Sequence, residues 1–95
     1  MALVYVPSAA AATKSLLSDP SKTVLAQKVK AVLRQLRDDP RHESVRRLRT
    51  TTDVLGEHPS WLVQIRDPDE TWWVAWRRDG DDVLVACVGP EPDAA

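Results

Sequence analysis

The chain has little of several residues that define special classes of protein. It contains one cysteine, three glycines and no phenylalanine among 95 residues. Its single thiol, Cys87, cannot form an internal disulfide, and no second cysteine completes a C-x-x-C metal or redox motif. No apolar run approaches the roughly 20 residues that cross a bilayer. The alanines at 9–12 lack the basic start and the long apolar centre of a signal peptide. We therefore expect a cytoplasmic protein with no membrane partner.

The length and composition predict one folded domain. A chain of 95 residues is too short to divide its apolar surface between two independent cores. With 43% hydrophobic and 28% charged residues, it resembles neither disordered nor fibrous sequences. The sequence thus predicts a single domain over residues 1–95, in which Glu91 to Ala95 form a frayed tail.

Charge is unevenly distributed along the chain. Residues 19–50 carry nine Lys and Arg against four Asp and Glu, a net of +5, whereas residues 51–95 carry three against ten, a net of −7. A basic segment of this kind can indicate an anionic partner. The alternative is that two charged surfaces simply solvate the domain and attract each other.

The first half of the chain reads as one strand followed by two helices. An apolar run from Leu3 to Val6 predicts a strand. The alanine-rich stretch from Ala9 to Leu17 predicts a helix, with Ser8 as a possible cap. A second helix is expected from Pro20 or Ser21 to Leu36 or Arg37. Asp19 or Ser21 would cap this helix, whose apolar face has helical spacing and comprises Leu25, Val29, Val32, Leu33 and Leu36.

The second half reads as a three-stranded meander. Residues 41–56 carry no clear periodicity, and we expect a loop with a short helical turn or strand. From Trp61 to Arg66 and from Thr71 to Arg77, apolar and polar residues alternate with period two, which is typical of strands. The pair Asp79-Gly80 favours a tight hairpin, and the apolar run Val83 to Val88 predicts a well-covered strand.

These elements predict an α+β fold with the order β-α-α-β-β-β. We expect an antiparallel sheet with two helices packed on one face, and the first strand at the edge of the meander. The core face of the sheet would present Trp61, Val63, Ile65, Trp72, Val74 and Trp76 to the apolar face of the second helix.

The order and spacing of these segments resemble the RelE/ParE superfamily of toxins from bacterial toxin–antitoxin pairs. The resemblance spans nearly the whole chain, although no single element is specific to the family. The segments that carry it are Val4-Tyr5-Val6-Pro7-Ser8-Ala9, Leu36-Arg37-Asp38-Asp39-Pro40, Val45-Arg46-Arg47-Leu48, Trp61-Leu62-Val63-Gln64-Ile65-Arg66, Trp72-Trp73-Val74-Ala75-Trp76-Arg77 and Val83-Leu84-Val85-Ala86-Cys87-Val88-Gly89.

The resemblance implies a toxin-like protein with a cognate antitoxin as its partner. RelE-like members cleave mRNA on the ribosome without a metal ion, and this activity is the expected one here. The alternative is a non-catalytic binding module on the same fold, which includes gyrase poisons of the ParE kind.

The resemblance also indicates a catalytic candidate, Arg66. This residue matches an arginine that such toxins often carry at the end of the first meander strand, where cations hold the scissile phosphate. In the next strand, however, Trp73 stands where the family often has arginine. The last strand is followed by Gly89-Pro90-Glu91-Pro92 rather than by the basic residues of many members. Both departures keep the non-catalytic alternative open.

Further residues are candidates for contact with RNA. Trp73 and Arg77 share the predicted open face of the sheet with Arg66, and an indole there could stack on a base or anchor an antitoxin. The arginines at 41, 46, 47 and 49 could grip phosphates, or else pair with nearby carboxylates. His42 and His58 have no evident partner by spacing. No Gly-rich phosphate loop and no spaced set of metal ligands is present, so no cofactor or metal is expected.

Overall fold

In a computed structural model of the chain, the described residues are 2–46, 48–49, 61–68 and 70–90. They form two α-helices and a five-stranded mixed sheet in which one strand has only two residues. The elements are β1 (Leu3–Tyr5), α1 (Pro7–Leu17), α2 (Thr23–Asp38), β2 (Leu48–Arg49), β3 (Trp61–Arg66), β4 (Thr71–Asp79) and β5 (Asp82–Gly89).

The α+β class is confirmed, but the prediction of an antiparallel sheet is wrong at one edge. The strand order is β1-β5-β4-β3-β2, and β1 runs parallel to β5 while all other neighbouring pairs are antiparallel. The chain returns to β5 from the far side of the meander. The parallel direction therefore follows from the connection through α1 and α2, a long-range property that period-two patterns do not report.

The residues at the start of each helix explain where that helix begins. Helix α1 starts at Pro7, two residues before the predicted start, because proline suits the first helical position. Ser8 lies inside this helix, so its predicted capping role is wrong; Val6 is the residue at the cap. Asp19 caps the 3-10 turn Pro20–Lys22 and not α2 as predicted: its carboxylate accepts from the Ser21 N–H at 2.9 Å. Helix α2 begins after this turn, at Thr23 instead of Pro20 or Ser21, and Lys22 at its start makes no side-chain capping bond.

The core lies between the helices and one face of the sheet. Trp76 is the largest fully buried side chain, and Trp72 is also buried on the same face. Trp61 packs against this core but is only partly buried. The buried side chains of α2 follow the predicted stripe and include Leu25, Val29, Leu33 and Leu36. Val32, which also belongs to the predicted stripe, is only partly buried.

The opposite face of the sheet, here called the open face, carries neither helix, yet its middle is buried. A bulge between β4 and β5 pairs Ala75 with Cys87 and Trp76 with Val85, leaving Ala86 as the extra residue. Ala75, Ala86 and Cys87 form a small buried cluster against which Leu62 packs. Cys87 is buried, as expected for a small apolar residue in this strand.

The second half of the chain tests two further predictions, a tight hairpin at Asp79-Gly80 and a short element within residues 41–56. The predicted Asp-Gly hairpin is present, and Gly80 adopts a φ of +60°, a conformation that favours glycine. Within residues 41–56, read as a loop with a short helical turn or strand, the structure has both: the 3-10 turn Glu43–Val45 and the two-residue strand β2, which pairs Leu48 with Leu62 and Arg49 with Trp61. The predicted tail at 91–95 and half of the segment at 41–56, namely residues 47 and 50–56, lie outside the described residues.

Candidate nucleic-acid interface

Arg66 lies at the end of β3, exposed and directly opposite Thr71 of β4. Its Nε donates to Oε1 of Gln64 at 3.3 Å, and its carbonyl oxygen accepts from Nζ of Lys28 at 2.8 Å. The second contact ties the end of the strand to α2. The backbone of Arg66 is therefore held in place while its guanidinium, with five N–H donors, remains accessible to an anion.

Trp73 is the closest aromatic candidate to Arg66 on the open face. It stands opposite Gln64, two positions from Thr71, and is thus the diagonal neighbour of Arg66 across the β3–β4 pair. Diagonal neighbours lie about 7–8 Å apart. Its side chain lies on the open face, as predicted, and is half-buried. The three side chains Gln64, Arg66 and Trp73 form what we call the Arg66 patch.

Arg77 belongs to the open face but is far from the Arg66 patch. It pairs with Leu84 of β5 and lies six residues along β4 from Thr71, the partner of Arg66. At ~3.3 Å per residue, the two arginines are separated by roughly 20 Å along the strand. The fold does not gather them around one phosphate.

The side chain of Arg46 packs against two tryptophan rings. Its guanidinium carbon lies 5.5 Å from the ring centroid of Trp61 and 5.5 Å from that of Trp76. Its Nε donates to the carbonyl of Pro40 at 2.7 Å. The two rings are themselves stacked, with centroids 6.4 Å apart. Arg46 thus covers the tryptophans at the start of β3, at the opposite end of that strand from Arg66.

The other arginines of the basic segment are only partly described. Arg41 is exposed, and its backbone N–H donates to Oδ1 of Asp39 at 3.1 Å in the turn after α2. Arg47 and the side chain of Arg49 lie outside the described residues, although the backbone of Arg49 belongs to β2. Their contacts with RNA phosphates remain predictions, as do those of Arg41, Arg46 and Arg77.

His42 has a partner that its sequence spacing did not indicate. Its Nδ1 lies 2.8 Å from Oγ of Ser44, and the backbone N–H of Ser44 donates to the same nitrogen at 3.1 Å. The pair caps the 3-10 turn Glu43–Val45, which gives His42 a local structural role. His58 lies outside the described residues.

A charged cluster stands beside the Arg66 patch, where the turn after β3 meets the start of α2. Nζ of Lys22 lies 3.1 Å from Oε2 of Glu70 and 5.8 Å from the ring centroid of Trp72. The indole N–H of Trp72 donates to Oε1 of Glu70. These two donors, the indole first, lower the pKa of Glu70.

The lowered pKa of Glu70 predicts that its carboxylate stabilises the fold at neutral pH and that this stabilisation is lost in acid. Because the folded pKa lies below the unfolded one, Glu70 stabilises the fold above the unfolded pKa, and the contribution disappears as the pH falls through the folded pKa. Glu70→Gln should therefore be less stable than the wild type at pH 7, and the difference should shrink progressively as the pH is lowered below the ordinary glutamate pKa of 4.5. Urea unfolding over a series of pH values measures it. Asp81→Asn, in the exposed β4–β5 turn, is the control, and an equal pH-dependent difference in this variant would contradict the role of Glu70.

Comparisons with family models, with curated proteins and with solved structures find no match to this chain. No helix in the described ranges is long and apolar enough to cross a membrane. Among the same residues, no group of three or more His, Cys, Asp or Glu side chains is placed to hold a metal ion.

Sequence reasoning missed the residues that hold the candidate interface in position. Lys28 supports the end of β3 from a helix 38 residues earlier in the chain, and Lys22 reaches Glu70 across 48 residues. Both lysines lie on exposed parts of α2 or just before it, where a cation is the usual residue. No local signal distinguishes a lysine with a distant partner from one that only contacts water.

Proposed function

We propose that this chain is the toxin-like component of a toxin–antitoxin pair of the RelE/ParE type. The order of its elements, one strand, two helices and then a meander, supports the proposal together with the placement of the core beneath the helices. The cognate antitoxin is its protein partner, and no cofactor is required.

The proposed activity is inhibition of translation by ribosome-dependent cleavage of mRNA. The observation that supports it best is the Arg66 patch, in which an exposed guanidinium lies diagonal to a half-buried indole on a face that carries no helix. A guanidinium can hold an RNA phosphate and offset charge that develops during attack by the 2′-hydroxyl. An indole can stack on the neighbouring base, which is the usual way of holding a single strand.

A second candidate is a non-catalytic module on the same fold, which binds its target or poisons gyrase. Two observations favour it. Gln64, Thr71 and Trp73, the described side chains next to Arg66 in the ladder, include no group that exchanges a proton near neutral pH. The nearest open-face arginine of β4, Arg77, is roughly 20 Å away along the strand. Both observations are compatible with binding. In neither does a second group stand beside Arg66 that could take part in cleavage of RNA.

Induced expression in a bacterial host separates these candidates. Growth is followed with incorporation of labelled amino acids and labelled thymidine for the wild type, Arg66→Ala and Arg34→Ala. Arg34 is the matched control, because it is an exposed arginine on α2, remote from the open face. We expect protein synthesis to stop first in the wild type and in Arg34→Ala, and growth arrest to be lost in Arg66→Ala. Earlier loss of thymidine incorporation would favour gyrase, and unaffected growth would contradict a toxic activity.

Binding to a single-stranded RNA oligonucleotide tests the role of Arg66 directly. If one phosphate contact is removed, the slope of log affinity against log salt should become shallower by about 0.7 in Arg66→Ala. Fluorescence anisotropy over a series of salt concentrations measures this slope, with Arg34→Ala again as control. An unchanged slope in Arg66→Ala, or an equal change in both variants, would contradict a phosphate contact at Arg66.

A further inference from the structure

The solvent side of the two helices carries charge mainly of one sign. Helices α1 and α2 together contain five cations and one acid, Asp38, which is the last residue of α2. The cations are all exposed and are Lys14, Lys28, Lys30, Arg34 and Arg37. Because the helices pack on the core face of the sheet, this basic surface lies across the sheet from the Arg66 patch.

Among the described residues, few acids pair with this surface. Arg37 pairs with Asp38, its neighbour in the sequence. The side chains of Lys14, Lys30 and Arg34 have no hydrogen-bond or ion-pair partner within the described ranges. The acidic second half of the chain reaches the basic segment through one described ion pair, at the turn after β3. Attraction between these two segments therefore does not account for the basic surface, which favours an anionic partner.

Two grooves meet at an exposed leucine beside these unpaired cations. Leu17, the last residue of α1, is 43% exposed and lines both grooves. The first groove, of about 300 Å³, lies between α1 and β1 and is also lined by Tyr5 and Lys14. The second groove, of about 310 Å³, lies between α1 and α2 and is also lined by Ala26 and Lys30. An apolar side chain thus separates two hollows, and each hollow has a lysine in its wall.

The charge around the two grooves is positive on balance. The described residues that line the first groove include no acid. Asp19 lines the second groove, where its Oδ1 accepts from the N–H and from the hydroxyl of Ser21. Arg34 lies about one turn along α2 from Lys30 and adds a cation beyond this groove. We call the group of four side chains around the grooves the Leu17 surface; its members are Lys14, Leu17, Lys30 and Arg34.

The chemistry of the Leu17 surface distinguishes between two anionic partners, a nucleic acid and an acidic polypeptide. Single-stranded nucleic acids are held largely by aromatic side chains that stack on their bases. Neither helix contains an aromatic residue, and Tyr5, which lines the first groove from β1, is only partly exposed. A polypeptide can supply carboxylates for the cations and aliphatic side chains for the grooves. The combination of apolar grooves and unpaired cations therefore favours an acidic polypeptide.

We propose that the Leu17 surface binds an acidic amphipathic segment of a partner protein. Apolar side chains of this segment enter the grooves on either side of Leu17, and its carboxylates pair with Lys14, Lys30 and Arg34. The apolar contact supplies most of the affinity, whereas the cations at the rim speed association and select against basic partners. Because this surface and the Arg66 patch lie on different sides of the sheet, the proposal does not rest on the proposed function.

Fluorescence anisotropy with a labelled peptide tests the apolar part of the proposal. The probe is a short amphipathic peptide with leucines at helical spacing and glutamates on its other face. Leu17→Ala should weaken binding of this peptide at least about fivefold, because it removes the apolar side chain between the grooves. Val24→Ala is the matched control: Val24 is 57% exposed on α2 but faces the β3–β4 turn, so binding should not change. Equal losses in the two variants would contradict the proposal.

A second pair of variants tests the charged part without disturbing the fold. Lys30 is exposed and its side chain has no partner among the described residues, so Lys30→Ala should fold normally. It should weaken binding of the acidic peptide about threefold at low salt, and the difference should shrink as the salt concentration rises. Arg66→Ala, the control on the open face, should bind this peptide like the wild type.

The choice of partner is tested with two further probes. A peptide with lysine in place of every glutamate should bind at least about tenfold more weakly than the acidic peptide. Equal binding of the two peptides, or no binding of the acidic peptide at millimolar protein concentration, would overturn the proposal. A loss of affinity for an RNA oligonucleotide in Lys30→Ala, with peptide binding unchanged, would instead identify a nucleic acid as the partner. Because the peptide is bound without RNA or toxicity, these results are independent of the activity of the Arg66 patch.

Discussion

Replacement of Trp76 by alanine is expected to lower the free energy of unfolding by about 4 kcal/mol, the scale measured for large aromatic side chains removed from protein cores. Trp76 is fully buried, between the helices and the sheet. Its indole N–H donates to the Val45 carbonyl at 2.9 Å. The variant therefore loses packing and also leaves a buried carbonyl without its donor. Urea unfolding followed by far-ultraviolet circular dichroism measures the change.

Two further tryptophan variants separate the contributions at this position. Trp76→Phe retains an aromatic ring but removes the indole donor, and we expect it to lose about half as much stability as Trp76→Ala. Trp73→Ala makes the same truncation at a half-buried position on the open face. Its loss of stability should be less than half that of Trp76→Ala. Equal losses in Trp73→Ala and Trp76→Ala would contradict the position of the core beneath the helices.

Arg46→Ala is expected to lower the free energy of unfolding by about 2 kcal/mol. The guanidinium contacts two indole faces, at 5.5 Å each, and donates to the Pro40 carbonyl. Cation–π contacts contribute roughly 0.5–2 kcal/mol, depending on how far they are removed from water. Arg46→Lys keeps the charge but loses the planar group that stacks on the rings, so its stability should lie between those of the wild type and the alanine variant.

The neighbouring Arg41 provides the control for Arg46. Arg41 is exposed, and its contact with the described residues is a hydrogen bond of its backbone, so Arg41→Ala should change the stability by less than about 0.5 kcal/mol. If Arg46 contacts phosphate and contributes no packing, Arg46→Ala would instead leave unfolding unchanged and weaken RNA binding. That result would contradict the packing role and support the interface predicted from the basic segment.

The sheet illustrates which parts of the fold local patterns can report. Alternation along Trp61 to Arg66 and along Thr71 to Arg77 correctly predicts which face of β3 and β4 packs into the core. In a strand, neighbouring side chains point to opposite faces whatever the tertiary context, so the pattern is sufficient. The parallel pairing of β1 with β5 could not be predicted in this way, because the direction of a pair depends on how the chain returns to the sheet.

In the Arg66 patch too, a local pattern predicts one feature and the tertiary structure sets another. Because side chains alternate between the two faces of a strand, the position of Arg66 along β3 predicts that it lies on the face away from the core, and the structure places it there. The separation of Arg66 from Arg77 depends instead on the register of β4 against β3 and β5, which no local pattern records. Arg46 was predicted as one of several loop cations, yet the fold brings two tryptophans beneath it from strands 15 and 30 residues away.

Sequence patterns alone predict the α+β class, the apolar stripe of α2, the core face of β3 and β4 and the Asp-Gly hairpin. They also predict a capping role for Asp19, although the capped element is the 3-10 turn before α2. These features depend on periodicity or on the chemistry of a few adjacent residues. The folded chain was needed to find the parallel edge strand, the pairing of the short strand β2, the contacts of Lys22 and Lys28, and the distances between the arginines. They depend on which segments meet after the chain has folded, and that is determined by the packing of the whole core.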